Sequence, residues 1–116
     1  MSVPILKQGN ILIASIQAAL SDEDLVQLRD ELAQRVGRDR ARGVVIDVTA
    51  LDVLDSFATR TIRGIAYTAK LRGAATVVVG IQPDVAFALV QLGLTLEDIA
   101  TALDLEEGIG LLHEIT

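Results

Sequence analysis

The sequence predicts an α/β fold in which a mixed β-sheet of four to five strands packs with about four helices. Three observations lead there. Two nearly continuous β-branched runs, Val44 to Val48 and Ala75 to Ile81, read as strands covered on both faces. Stretches with apolar residues at helical spacing alternate with them, the pattern of βαβ units. Hydrophobic residues make up 51% of the chain and aromatics only 3%, so the core must be built from Val, Ile, Leu and Ala. Such a core suits layers of strand against helix.

Taken in order, Val3 to Lys7 and Ile11 to Ile16 are short apolar strands joined by Gln8-Gly9-Asn10, a hairpin turn because Gly and Asn tolerate positive φ. Ser21-Asp22-Glu23-Asp24 opens a helix with Ser21 as N-cap and acidic groups in the first turn; Leu25, Leu28, Leu32 and Val36 then share one face. Gly37 is the expected end of that helix. Ser56 to Leu71 has helical spacing at Phe57, Ile62, Ile65, Ala66 and Ala69, and Gly73 closes it. Pro83 and Asp84 suit the first turn of a helix running to Leu92, before Gly93. A short strand near Ile99 to Ala102 and a terminal helix from Asp104 to His113 complete the chain, with Gly108 and Gly110 expected to loosen that helix.

The 116 residues read as one domain, 1–116, without linker, repeat or low-complexity segment. Ten basic residues against sixteen acidic ones give a net charge of -6, which argues against a nucleic-acid partner. The nearest approach to a basic cluster, Arg35, Arg38, Arg40 and Arg42, is interrupted by Asp39 and reads as a solvated helix end. The chain has no cysteine, hence no thiolate nucleophile and no disulfide, which fits a cytoplasmic location. Its uncharged runs, Gln8 to Ser21 and Val85 to Leu96, are too short to span a bilayer, so no membrane association is expected.

The candidates for chemistry are few. The single histidine, His113, lies near the C-terminus without an evident nucleophile or metal partner. Asp47, Asp52 and Asp55 would suit a hard cation, but loop solubility and helix capping account for them as well, and no metal site is expected. No glycine-rich phosphate loop follows a strand; Gly108-Ile109-Gly110 is too short and too late. The chain is not expected to be an enzyme.

Ser56 is different. The Val44 to Val48 strand runs through the acidic loop Thr49-Ala50-Leu51-Asp52-Val53-Leu54-Asp55 and reaches this serine where a helix begins. As N-cap or first-turn residue it can simply accept a backbone hydrogen bond. Loops at the carboxyl ends of parallel strands are also where open α/β sheets expose working residues. A phosphate on Ser56 would add about −1.5 to −2 charges beside a helix N-terminus that favours them, within reach of Arg60. Asp52 and Asp55 oppose that charge, so the expected result is little change in fold and a large change in local potential. Thr59 and Thr61 are competing acceptors, held less accessibly inside the first turns. Val53, Leu54 and Phe57 read as a docking surface or as ordinary loop packing, with Asp52 and Asp55 adding electrostatic selectivity.

The order strand, strand, helix, strand, helix, strand, helix, with Asp55-Ser56 opening the helix after Val44 to Val48, resembles the STAS domain of anti-sigma-factor antagonists over nearly the whole chain. The form Leu54-Asp55-Ser56-Phe57, without a sensory extension, is most similar to the RsbS-like scaffold branch of the bacterial stressosome; other antagonists follow the serine with a small residue where this chain has Phe57-Ala58. The resemblance implies a STAS-type sheet and a phosphoacceptor role for Ser56; from their placement around that serine, Asp52, Val53, Leu54, Asp55, Phe57, Thr59 and Arg60 are the expected partner contacts. It further implies co-assembly with RsbR-like STAS paralogues, binding of an RsbT-like serine kinase with release on phosphorylation, and resetting by an RsbX-like PP2C-type phosphatase. ATP and Mg²⁺ would belong to the kinase, and no cofactor is expected on this chain. Two alternatives stand beside this reading: a stand-alone anti-anti-sigma factor that binds an anti-sigma kinase, and a small-ligand-binding module using the same strand-end cleft.

Overall fold

A computed structural model describes residues 3–94, 96 and 99–115. Five strands and four helices follow one another as β1 (Ile5–Gln8), β2 (Ile11–Ser15), α1 (Asp22–Arg38), β3 (Gly43–Asp47), α2 (Ser56–Leu71), β4 (Ala75–Val79), α3 (Pro83–Gln91), β5 (Ala100–Ala102) and α4 (Leu105–Ile115). The sheet order is β1-β2-β3-β4-β5. β1 and β2 form an antiparallel hairpin across Gly9-Asn10, with Gln8 opposite Ile11, and the remaining neighbours are parallel. This is the mixed α/β sheet the sequence predicts.

Burial explains why the central strands are apolar at every position. Val44, Ile46, Val48 and Val78 face a large core built with α1 and α2, while Val45, Val77 and Val79 face a second core closed by Leu112 of α4. Strands covered on both faces lose the polar alternation of a half-exposed strand. Among the described residues, no helix is long and apolar enough to cross a membrane.

At the start of α1, the Ser21 hydroxyl accepts from Asp24 N at 3.1 Å and the Asp24 carboxylate accepts from Ser21 N at 3.4 Å, a reciprocal cap. Leu25, Leu28, Leu32 and Val36 are its buried stripe. The far end corrects the expectation for Gly37. The helix continues through Gly37 to Arg38, and the chain leaves by way of Arg40 at φ 51°. A β-carbon on Gly37 would meet only the far end of the exposed Arg72 side chain, which can swing aside, so this glycine neither ends the helix nor is demanded by its packing. Asp39 closes the turn, accepting from Arg38 Nε at 3.2 Å and Arg35 Nε at 3.4 Å. The Arg38 hydrogen bond, with help from the charges of Arg38 and Arg35, holds its carboxyl below the ordinary range.

Gly108 also corrects its expectation. It does not loosen α4: it is buried, and a β-carbon on it would meet Val79 Cγ1 at 2.5 Å, so its lack of a side chain lets the helix lie close on β4. Gly110 faces open space, with nothing within 4 Å. The two glycines therefore predict opposite results in urea unfolding. Gly110→Ala should stabilise by up to about 1 kcal/mol through helix propensity. Gly108→Ala should be destabilising by about 1–2 kcal/mol, because overpacking against Val79 outweighs that gain.

Candidate functional site

The carboxyl ends of β3 and β4 hold the loop that carries Ser56. Val48 N donates to Val79 O at 3.0 Å, extending the β3–β4 pairing beyond the strands. The Asp47 carboxylate accepts from both the Thr49 backbone N–H at 2.9 Å and the Thr49 hydroxyl at 2.6 Å, which folds the chain back at the strand end. Gln82 Nε2 donates to Thr49 O at 2.8 Å and ties this loop to the one before α3. Gly80, at φ 80°, passes so close to Thr49 that a β-carbon there would strike its side chain. Leu51 and Leu54 are buried and anchor the loop from below, leaving Asp52 and Val53 at its exposed tip, with Val53 70% exposed.

The cap of α2 is Asp55. Its Oδ1 accepts from Ala58 N at 2.7 Å, and Thr59 N donates to Asp55 O at 3.0 Å. Ser56 is then the first helical residue, which corrects its alternative role as N-cap. Asp and Ser are both preferred caps, and the anchored leucines put Asp55 in the extended conformation that a cap requires. Relieved of capping, the Ser56 hydroxyl is exposed and without a hydrogen-bond partner among the described residues. Arg60 is exposed one turn further on, on the same face.

The other expected contact residues divide into surface and support. Asp52, Val53, Asp55 and Arg60 are exposed and Phe57 is half-buried, whereas Leu54 and Thr59 lie beneath the surface. The Thr59 hydroxyl donates to Asp55 O at 2.8 Å, and the buried Thr61 hydroxyl donates to Phe57 O at 2.8 Å. Ser56 is thus the hydroxyl in this stretch of α2 that a partner can reach. Asp47, Asp52 and Asp55 do not converge as ligands: among the described residues, no three His, Cys, Asp or Glu side chains come together to hold a metal. His113 sits on α4, exposed and across the sheet from this loop.

Sequence reasoning missed the far wall of the site. Asp52 to Ser56 line one side of an open, mainly apolar groove of about 450 Å³, and Val85, Ala88, Leu92 and Leu94 line the other. Phe87, Val90 and Leu92 extend the exposed apolar surface along α3. The signal was present in the sequence: Val85 to Leu92 is apolar on nearly all sides in a helix with only two buried residues.

Asp55→Ala should cost about 1 kcal/mol of stability by removing the α2 cap, whereas Asp55→Asn should keep most of it. Denaturant midpoints of the two variants check this, and a larger loss for Asn than for Ala would contradict the capping role.

Comparison with known proteins agrees with this geometry. The STAS domain family matches residues 2–108. A serine-to-glutamate variant of Moorella thermoacetica RsbS superposes with a TM-score of 0.85 at 37% identity, over 97% of this chain and 96% of that one. A chain from a structure describing the molecular architecture of the stressosome gives a TM-score of 0.79 at 36% identity, over 97% of each chain. The RsbT co-antagonist protein RsbRA of Bacillus subtilis (strain 168) is 27% identical over 114 residues, and the chain spans 41% of its length. The anti-sigma factor antagonist SpoIIAA, at 11% identity and a TM-score of 0.71, shares the fold. With the family match covering nearly every residue and the sheet, helices and strand-end serine in place, this chain belongs to the STAS domain family, as an RsbS-like member.

Proposed function

We propose that this chain is a non-enzymatic regulatory scaffold of a bacterial stressosome, acting in the cytoplasm as a single STAS domain. It co-assembles with RsbR-like STAS paralogues, sequesters an RsbT-like serine kinase, and releases it when Ser56 is phosphorylated. An RsbX-like PP2C-type phosphatase restores the unmodified serine. The observation that carries this reading is the exposed hydroxyl of Ser56, without a hydrogen-bond partner among the described residues, at the first position of α2 beside an apolar groove with an acidic rim. Likeness at 36–37% identity to RsbS and to a stressosome chain supports the scaffold role over a free-standing antagonist.

The chemistry asked of this chain is modest. The kinase would form the new P–O bond to Ser56 Oγ, take the hydroxyl proton and release ADP, while this chain presents the acceptor rigidly. The groove supplies apolar contact, and Asp52 and Asp55 favour a partner with a basic rim. The backbone N–H groups of the first α2 turn and Arg60 then stabilise the phosphate where it stands. Mixing the purified chain with an RsbR-like paralogue and the kinase tests the assembly: a large particle that retains the kinase is expected. A stable one-to-one complex with an anti-sigma kinase, and no particle, would overturn it.

A further inference from the structure

A second cleft lies at the end of the sheet away from Ser56. It opens where the last turns of α2, the start of β4, the edge strand β5 and the end of α4 meet, and its volume is about 380 Å³. Along α2, Lys70 stands about 21 Å from Ser56 at the ordinary helical rise, so the two sites do not touch.

The polar side chains lining this cleft are Arg42, Lys70 and Thr76, and every one of them can donate a hydrogen bond. Arg42 and Lys70 are exposed at its rim and make no side-chain hydrogen bond or ion pair among the described residues. Ala75 N donates to Arg42 O at 3.0 Å, which holds Arg42 against the start of β4. Lys70 also suits the negative end of the α2 dipole, a reason that Arg42, outside any helix, does not share. None of the described residues lining the cleft is acidic.

Thr76 carries the argument further. It is only 7% exposed, and its hydroxyl is buried without a hydrogen-bond partner among the described residues. A buried donor left unpaired is destabilising, and the packing does not ask for one. The next residues of β4 are Val77, Val78 and Val79, so the strand accepts a side chain of nearly the same shape with no donor to satisfy. An acceptor brought by a ligand accounts for the threonine. The remaining wall is apolar, with Ala66, Ala100 and Ile115 on the same space. Two cations and a hydroxyl donor select an anion, and the apolar side selects hydrocarbon beside it. An inorganic oxyanion would use only the first of these.

We infer that this cleft binds a short-chain organic carboxylate, its head on Arg42, Lys70 and the Thr76 hydroxyl and its aliphatic body along Ala66, Ala100 and Ile115. This goes beyond the kinase-release reading and does not rest on it.

Titrating the isotope-labelled full chain with sodium hexanoate, and following its backbone amides by NMR, tests the inference. Saturable shifts are expected at Arg42, Lys70 and Thr76, with a Kd of about 1 mM or tighter. Inorganic phosphate and hexanol each carry half of the recognised chemistry, so each should bind at least about tenfold more weakly. Arg42→Gln/Lys70→Gln, at two exposed positions, should melt like the wild type and weaken hexanoate at least about tenfold. Thr76→Val should weaken it about fivefold and melt no lower than the wild type, since a buried unpaired hydroxyl is removed. The inference is overturned if no saturable shift occurs at these amides, if the shifts are confined to the groove beside Ser56, or if phosphate binds as tightly as hexanoate. Unchanged hexanoate affinity in either variant overturns it as well. Phosphorylation of Ser56 by a kinase is measured separately and survives any of these failures.

Discussion

Replacing Ser56 with aspartate is expected to weaken the binding of an RsbT-like kinase by at least about tenfold, roughly 1.4 kcal/mol, with the fold intact. The side chain at this position is exposed and makes no hydrogen bond among the described residues, so the substitution removes none of the hydrogen bonds they make. As the first residue of α2, the new carboxylate meets the positive end of the helix dipole, which favours it by about 0.3–1 kcal/mol and should leave the melting temperature unchanged or slightly raised. The cost falls on the partner. Asp52 and Asp55 already give the groove an acidic rim, and a third negative charge among them disfavours a partner that docks its apolar surface there. Phosphoserine, with about −1.5 to −2 charges, should act more strongly than aspartate, and Ser56→Ala should retain the kinase. Titration calorimetry beside thermal melts separates the two readouts. Equal kinase affinity for wild type and Ser56→Asp would remove charge as the switch.

Leu112→Ala should lower stability by about 2–5 kcal/mol, a drop of roughly 10–20 °C in the melting temperature. Leu112 is fully buried and closes the second core over Ile11, Ile13, Val45, Val77 and Val79. Its δ-carbons also lie against Gly43, where even a β-carbon would have to displace them. Gly108 brings α4 so close to β4 that the helix has little freedom to slide into the space left by truncation, which favours the upper part of that range. Ser56 lies across the sheet, so below the transition the variant should still be phosphorylated. A melting temperature within a few degrees of wild type would mean that α4 is not integral to the fold.

What the sequence disclosed follows from how local each signal is. α2 was readable from Ser56 to Leu71 because its apolar spacing, a preferred cap and Gly73 coincide within the segment itself. β3 and β4 were readable because burial on both faces leaves an unbroken aliphatic run. Gly108 misled because it is set by a distant neighbour, Val79, that no local pattern announces. The choice between Asp55 and Ser56 as cap was hidden too, since both residue types cap well and the decision rests on where Leu51 and Leu54 pin the loop. α3 as the second wall of the groove required knowing which helix the sheet topology sets beside the β3–α2 loop.

The central claim is that charge placed on Ser56 switches partner binding. Incubating the chain with an RsbT-like kinase and Mg·ATP, then locating phosphate by peptide mass spectrometry, tests it most directly. The account predicts a single phosphate on Ser56, loss of modification in Ser56→Ala, and release of the kinase in step with phosphorylation. Phosphate found only at other residues, or a kinase that stays bound to the fully phosphorylated chain, would contradict it.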